Sequence, residues 1–186
     1  STITYKNGEP NGTTQHFYED GTIRIAGTYS NNGADRKITE YYPSGNIQSE
    51  EEFKNKLQQG TWVTYFDGPD KQVSTRKVYD KGQLNGAQES YYENGQLKSK
   101  TTWANGKITG ISYEYYADGK VKSETGFKDG KKQGDYRTFH QNGREETIGR
   151  YVANRPVGTW KHFNNEGTLV KTVSYRNGEM VEEKTI

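Results

Sequence analysis

The stretch that decides the fold is residues 103–126, which reads WANGKITGISYEYYADGKVKSETG. Residues 79–102 read YDKGQLNGAQESYYENGQLKSKTT and share its pattern: an opening aromatic, an aromatic pair at positions 13 and 14, then a turn dipeptide ending in Gly. The period is 24 residues, except for 26 between the third and fourth units. A short fixed period predicts a stacked repeat array. The opening aromatics of the units are Tyr5, Tyr29, Phe53, Tyr79, Trp103, Phe127, Tyr151 and Tyr175.

Each unit carries the signals of a β-hairpin. Dipeptides such as Asp118-Gly119, at positions 16 and 17, supply the positive φ angles of a two-residue type I′ turn. The second connection, for example Asn105-Gly106 to Gly110, is longer and predicts a looser loop. No stretch has sustained helical periodicity. We therefore predict an all-β fold, an elongated, twisted single sheet of antiparallel hairpins. It forms one domain over residues 1–186, with about seven units and a partial capping unit from position 175.

The expected register separates two faces of the sheet. With a two-residue turn, position 14 lies opposite position 19, and position 13 lies opposite position 20. One face then collects positions 10, 14, 19 and the opening aromatic, and we assign it to the core. The other face collects positions 11, 13, 20 and 22, many of them charged, such as Glu50, Lys98 and Lys122. A β-bulge near the turn would exchange residues between the faces.

Position 13 is aromatic in all seven full repeats, although its expected neighbours are polar. Two interpretations stay open. The rings are either a docking surface for a protein or a glycan, or packing residues covered by Lys and Arg stems. After Phe17 in the first repeat, the candidate binding residues are Tyr41, Tyr65, Tyr91, Tyr115, Phe139 and Phe163.

Several positions depart from the repeat. Arg36 replaces the usual Gly of mid-repeat, and Glu145 replaces the aliphatic residue of position 19. Residues 67–71 enlarge one tight turn by two residues, which either bends the array, makes a contact or is neutral. Residues 179–184 are a charged strand, which we interpret as a polar cap.

The repeat resembles the MORN-type repeat, through its Tyr-Tyr-x-Asn-Gly-x-Leu core and the Tyr-x-Asn-Gly-x-x-x-Gly segment ahead of it. It is most similar to the bacterial variant of that family, some members of which are called antitoxins of the YwqK type. The resemblance runs from Tyr5 to about Met180. It implies protein binding or scaffolding, and it carries over no catalytic residue.

Composition limits the function classes. The net charge of +2 is too balanced for general nucleic-acid binding, and no apolar run reaches membrane-spanning length. Residues 1–93 carry 10 basic and 13 acidic side chains, whereas residues 94–186 carry 16 and 11. This difference is either a mixed solvated surface or a dipole that orients an acidic partner. Cys is absent, which leaves the compartment undecided.

The histidines and other potential catalytic residues do not form a recognisable active-site pattern in the sequence. His140 and His162 stand in neighbouring repeats, about 10 Å apart by strand spacing, too far to share a zinc ion. His16 stands alone, and no phosphate loop or nucleophile motif occurs. We therefore predict no enzyme, no cofactor and no metal.

The leading hypothesis is a non-catalytic protein–protein interaction or scaffold module, with an antitoxin- or immunity-like role as its specific form. The alternative is a bacterial envelope repeat protein that binds polysaccharide through exposed aromatics. Membrane-surface binding has the least support, because no polybasic segment occurs. Ser1 to Thr4 is interpreted as the end of an earlier repeat in a processed or excised protein, which slightly favours an exported or cell-surface location.

Overall fold

A computed structural model describes residues 2–186, apart from the side chain of Ile3. All regular elements in this range are β-strands, which confirms the all-β prediction. The chain divides into two compact units, residues 1–95 and 96–186. The interpretation of Ser1 lies outside the described residues.

The first unit contains eight strands, most of them eight or nine residues long. They are β1 (Thr2–Lys6), β2 (Glu9–Phe17), β3 (Ile23–Ser30), β4 (Asp35–Tyr41), β5 (Ile47–Lys54), β6 (Leu57–Tyr65), β7 (Val73–Asp80) and β8 (Gln83–Tyr91). The second unit contains eight more strands of the same kind. They are β9 (Leu97–Ala104), β10 (Lys107–Tyr115), β11 (Val121–Lys128), β12 (Lys131–Phe139), β13 (Glu145–Val152), β14 (Arg155–Phe163), β15 (Leu169–Arg176) and β16 (Glu179–Thr185).

The strands follow chain order in a sheet of sixteen strands. Within each unit, consecutive strands pair antiparallel, as the hairpin signals predicted. The twisted, elongated shape and the single-domain boundary stay predictions.

The two kinds of turn are the reverse of the expectation. The connection at positions 3 and 4, predicted as the looser loop, is the two-residue turn. Asn105 and Gly106 there have φ of 49° and 73°, and Lys107 pairs with Ala104 across them. Two successive positive φ angles define the type I′ turn. The mid-repeat Gly comes after it: Gly110, with φ of 73°, lies where β10 carries extra residues relative to β9. A bulge therefore follows the tight turn.

The turn at positions 15 to 17 is longer than predicted. Gly119 has φ of 86°, but Asp118 is not among the residues of positive φ described in 2–186, so this is not a type I′ turn. The Gly119 N–H donates to the Tyr116 carbonyl at 2.9 Å, and the Tyr116 N–H donates to the Lys120 carbonyl at 2.8 Å. This is a three-residue loop, a type I turn closed by one left-handed Gly. Asp118 serves as a side-chain acceptor, since its Oδ1 receives the Lys120 N–H at 3.1 Å.

This turn changes the register, so part of the predicted face assignment is wrong. Position 13 pairs with position 19 rather than 20: Tyr115 lies opposite Val121, and Glu114 lies opposite Ser123. Position 20 is the extra residue of a β-bulge, which turns it towards the face of position 12. Side chains agree, because the Thr138 hydroxyl at position 12 donates to Glu146 at position 20, over 2.9 Å. Positions 19 and 20 have therefore exchanged faces.

One face, which we call the Trp face, carries the opening aromatics and position 10, as predicted. Trp160 is only 7% exposed, and its ring lies 5.1 Å from that of Tyr151 and 5.8 Å from that of Tyr175. It pairs across the strands with Val173, which is 3% exposed. In the first unit, Trp62 makes similar contacts to Phe53 and Tyr79. Ladders of aromatic rings thus take the place of a thick core.

In several repeats, the side chain of position 14 bonds to the backbone of the next repeat. The hydroxyls of Tyr18, Tyr42 and Tyr116 donate to the position-13 carbonyl of the following repeat, at 2.7, 2.8 and 2.6 Å. His140 keeps the same bond, because its Nε2 lies 2.9 Å from the Phe163 carbonyl. A carbonyl only accepts, so Nε2 carries the proton. The change from Tyr to His therefore preserves a connection between repeats.

Arg36 stands where the bulge is missing. The loop of its repeat, residues 31–34, has four residues, and β3 and β4 pair without a register shift. The longer loop replaces the extra residues of the bulge, so the position of Arg36 does not require a left-handed Gly. The Arg36 guanidinium lies 3.7 Å from the Phe53 ring centroid, a cation–π contact that caps the aromatic ladder of the first unit.

Candidate functional site

The opposite face, which we call the Tyr face, carries the candidate aromatics of position 13. The corrected register places them opposite the aliphatic residues of position 19, for example Tyr41 opposite Ile47 and Phe163 opposite Leu169. Together they form a hydrophobic strip on each unit, which the expected register had divided between two faces. In the first unit the strip is Phe17, Ile23, Tyr41, Ile47, Tyr65, Val73 and Tyr91. In the second unit it is Leu97, Tyr115, Val121, Phe139, Phe163 and Leu169, with the acidic Glu145 at the remaining aliphatic position.

Exposure varies along the strip. Phe17 is 40% exposed, whereas Tyr65 is 8% exposed and belongs to the core. The five other candidates are half-buried, so part of each ring is available to solvent: Tyr41, Tyr91, Tyr115, Phe139 and Phe163. The five half-buried residues fit either a docking surface or a packing role. The burial of Tyr65 fits a packing role.

The enlarged turn covers Tyr65. Lys71 Nζ lies 5.0 Å from the Tyr65 ring centroid and 3.2 Å from Glu50 Oε1. The Tyr65 hydroxyl donates to Glu50 Oε2. Burial, together with this carboxylate, raises the pKa of Tyr65 to about 12. The hydrogen bond from Tyr65 lowers the pKa of Glu50, since it stabilises the ionised carboxylate. The enlarged turn therefore makes a specific contact, through Lys71.

The same turn is held to the repeat before it. Asp67 accepts hydrogen bonds from the Ser44 hydroxyl at 2.5 Å and from Asn46 Nδ2 at 2.8 Å. These bonds lower the pKa of the Asp67 carboxyl. The turn is thus anchored on one side to the previous turn and on the other side to Glu50.

Two further tyrosines of the strip interact with their own strand. The Tyr91 hydroxyl donates to Glu89 Oε2 at 2.8 Å, and Glu89 lies 3.7 Å from Arg76. The Tyr115 ring stacks on Tyr113, with centroids 6.2 Å apart. Burial raises the pKa of both Tyr91 and Tyr115. These side chains are oriented by neighbours two residues away, which are on the same face of the strand.

A second cross-strand row flanks the strip. It is formed by positions 11 and 22 and, in the last hairpin, by Lys184 at position 10. In the first unit it runs Gln15, Ala26, Thr39, Glu50, Val63, Arg76 and Glu89. In the second unit it runs Lys100, Tyr113, Glu124, Arg137, Ile148, Lys161, Thr172 and Lys184. Sequence reasoning did not find this row as a unit, because its continuity depends on the pairing of every strand.

His16 and His162 lie in strands, His140 directly follows β12, and all three have polar partners. His162 Nδ1 lies 3.2 Å from the Thr147 hydroxyl, and His16 Nε2 lies 3.4 Å from that of Thr14. His140 makes the repeat-linking bond described above. Within residues 2–186, no group of three or more His, Cys, Asp or Glu side chains could hold a metal ion. The same range contains no helix long and apolar enough to cross a membrane.

The sequence pattern of the MORN repeat variant matches five segments of the chain. They are residues 10–31, 37–55, 84–107, 108–129 and 156–183, more than half of its length. The chain therefore belongs to the MORN repeat variant family. Repeats of this family are generally associated with binding and scaffolding, and the family is generally non-catalytic. No curated protein matches the chain.

The two longer stretches without a match, 56–83 and 130–155, still fold as repeats. The first contains the enlarged turn, and the second contains Glu145 in place of the aliphatic residue. In both, the hairpin pairing continues through the unmatched residues. Strand pairing therefore tolerates departures that weaken the sequence pattern.

Proposed function

We propose that this protein is a non-catalytic binding module whose protein partner docks on the Tyr face. The observation that carries the proposal is the hydrophobic strip. Its residues pair across the hairpins of each unit, with Glu145 as the one acidic member, and most of them are half-buried beside charged side chains. Aromatic and aliphatic residues inside a polar border have the composition of a protein-binding surface.

The specific form of this proposal is an antitoxin- or immunity-like module, whose partner is a toxin. Its support is the resemblance of the repeats to the bacterial variant of the family, some members of which are called antitoxins. Polysaccharide binding is the alternative. It has less support, because stacking of a sugar needs an open ring face, and Tyr65 is covered by Lys71 while Tyr115 stacks on Tyr113.

The test is an affinity pull-down from the native organism with three forms of the protein. The strip variant carries Phe139→Leu and Phe163→Leu, which remove the rings but keep apolar volume. The matched control carries Phe53→Leu and Phe127→Leu on the Trp face. A partner that docks on the strip is captured by the wild type and the control, and is reduced at least about tenfold by the strip variant.

If all three folded forms capture the partner equally, the strip is not the docking surface. A glycan array, read with the same proteins, separates the two candidate functions. Binding of a glycan that disappears in the strip variant, without a captured protein, would overturn protein binding in favour of the envelope function.

A further inference from the structure

The row that flanks the strip differs in charge between the two units. In the first unit it contains one basic residue, Arg76, and two acidic ones, Glu50 and Glu89. In the second unit it contains four basic residues and one acidic residue, Glu124. The four basic residues are Lys100, Arg137, Lys161 and Lys184. We call them the basic row.

Charges of the first unit's row are satisfied within the protein. Glu50 binds the Tyr65 hydroxyl and Lys71, and Arg76 lies 3.7 Å from Glu89. In the second unit, Arg137 and Lys161 are exposed, and no ion pair to either is found among the residues that the structure describes. Their guanidinium and ammonium groups remain available to a partner.

The basic row and the strip come from the same strands. Arg137 precedes Phe139 by two residues on β12, and Lys161 precedes Phe163 by two residues on β14. Residues two apart share a face and lie about 7 Å apart. Because β12 and β14 are separated by one strand, the two basic–aromatic pairs lie about 10 Å from each other. Each of these strands thus presents a ring beside a cation.

We infer that the segment of the partner that docks on the second unit is acidic as well as apolar, with carboxylates placed about 10 Å apart over Arg137 and Lys161. This inference rests on the proposed function and adds the chemistry of the partner. Glu145, opposite Phe139 in the strip, marks the position that such a partner meets with a neutral or basic group.

A protein segment fits this surface better than a single-stranded nucleic acid. A base needs an open ring face to stack on, and one face of the Tyr115 ring is already in contact with Tyr113. Polyanion binding also requires a strong excess of positive charge, and the net charge of the whole chain is only +2. A peptide segment with a few carboxylates and apolar side chains matches this surface, which has a few basic side chains beside half-buried aromatic rings.

The experiment measures fluorescence anisotropy of a labelled peptide made of Glu-Asp-Phe repeats, and of its neutral analogue made of Gln-Asn-Phe repeats. The row variant carries Arg137→Gln and Lys161→Gln. The matched control carries Lys107→Gln and Lys131→Gln, which remove the same charge from exposed strand positions directly after the two-residue turns of the same unit. All forms are compared at low salt and at about 150 mM salt, where exposed charges are screened.

The expected result is that the acidic peptide binds the wild type at least about tenfold more tightly than the neutral analogue. The row variant should lose about tenfold in affinity, while the control stays within about twofold. Equal losses in the two variants, or equal affinity for the two peptides, would overturn the basic row as a recognition element. Tighter binding of a single-stranded oligonucleotide, or of phosphatidylserine-containing vesicles, would also overturn it.

The two proposals can fail separately. If the pull-down partner depends on Phe139 and Phe163 but is unaffected by the row variant, the docking face stands and the acidic partner is wrong. If neither pair of substitutions affects any partner, the proposed function itself is wrong.

Discussion

Contacts between neighbouring strands determine which residue type fits at single positions of this protein. Gly149 illustrates this, because a Cβ atom there would lie 2.2 Å from the Trp160 ring. Its φ is not in the left-handed region, so the backbone itself would accept another residue. The absent side chain is what lets the indole lie against β13.

Gly149→Ala should destabilise the protein by about 1–3 kcal/mol, because the new methyl group must displace Trp160 from its ring contacts. Urea denaturation measures this loss. Gly68→Ala is the matched control, since its Cβ would meet nothing within 4 Å and its φ is also ordinary. Equal effects of the two substitutions would show that Trp160 does not occupy this site.

His162 provides a residue-scale prediction about pH. Burial, and then the nearby Lys171, lowers its pKa from the usual value, although Glu146 and Glu183 act in the opposite direction. The folded protein therefore binds fewer protons than the unfolded chain near pH 6.5. The stability contributed by neutral His162 is present above about pH 6.5 and is lost as pH falls towards the lower pKa of the folded state.

The variant His162→Thr tests this. Two other repeats have Thr at the equivalent position, Thr64 and Thr138. Its free energy of unfolding is compared with that of the wild type at about pH 8 and about pH 5.5. At the lower pH, the stability of the variant should increase relative to that of the wild type. A difference that does not change with pH would contradict the lowered pKa.

At the scale of elements, two types of turn determine the register of each hairpin and therefore which side chains share a face. The dipeptides Asn94-Gly95 and Asp118-Gly119 predicted type I′ turns, but the structure has type I turns with one left-handed Gly there. Composition alone does not distinguish these turns, since Asn or Asp followed by Gly suits both. The distinction depends on which carbonyl each N–H reaches, and it decided the faces of positions 19 and 20.

The type I′ turn of the seventh repeat offers a prediction. Ala153 has φ of 48°, a left-handed conformation that Asn tolerates better than Ala. Ala153→Asn should therefore stabilise the protein by about 0.5–1 kcal/mol in thermal or urea unfolding. Ala104→Asn, at the last strand position before the equivalent turn of β9, should bring no gain. An equal gain from both substitutions would count against the turn assignment.

At the scale of the whole molecule, each unit is built from contacts between strands that are neighbours in its sheet. Trp62 and Trp160 each centre a separate ring cluster, in the first and second units respectively. Stability of such an array is approximately a sum of repeat and nearest-neighbour terms. Loss of one cluster should therefore act locally.

Trp160→Leu should increase amide hydrogen exchange in β12 to β16 and leave β1 to β6 near their wild-type protection. Trp62→Leu is the mirror control, with increased exchange around β5 to β8. Loss of protection throughout the chain in either variant would mean that the array unfolds as one cooperative unit.

The sequence by itself determined the repeat period, the antiparallel hairpins and, on the Trp face, the opening aromatics and position 10, because these depend on local propensity and on spacing within one unit. It also located the position-13 aromatics, although not what lies opposite them. Only the tertiary structure decided the strip and the basic row. A bulge of one residue changes which side chains share a face, and a continuous row exists only when many strand pairs are in register.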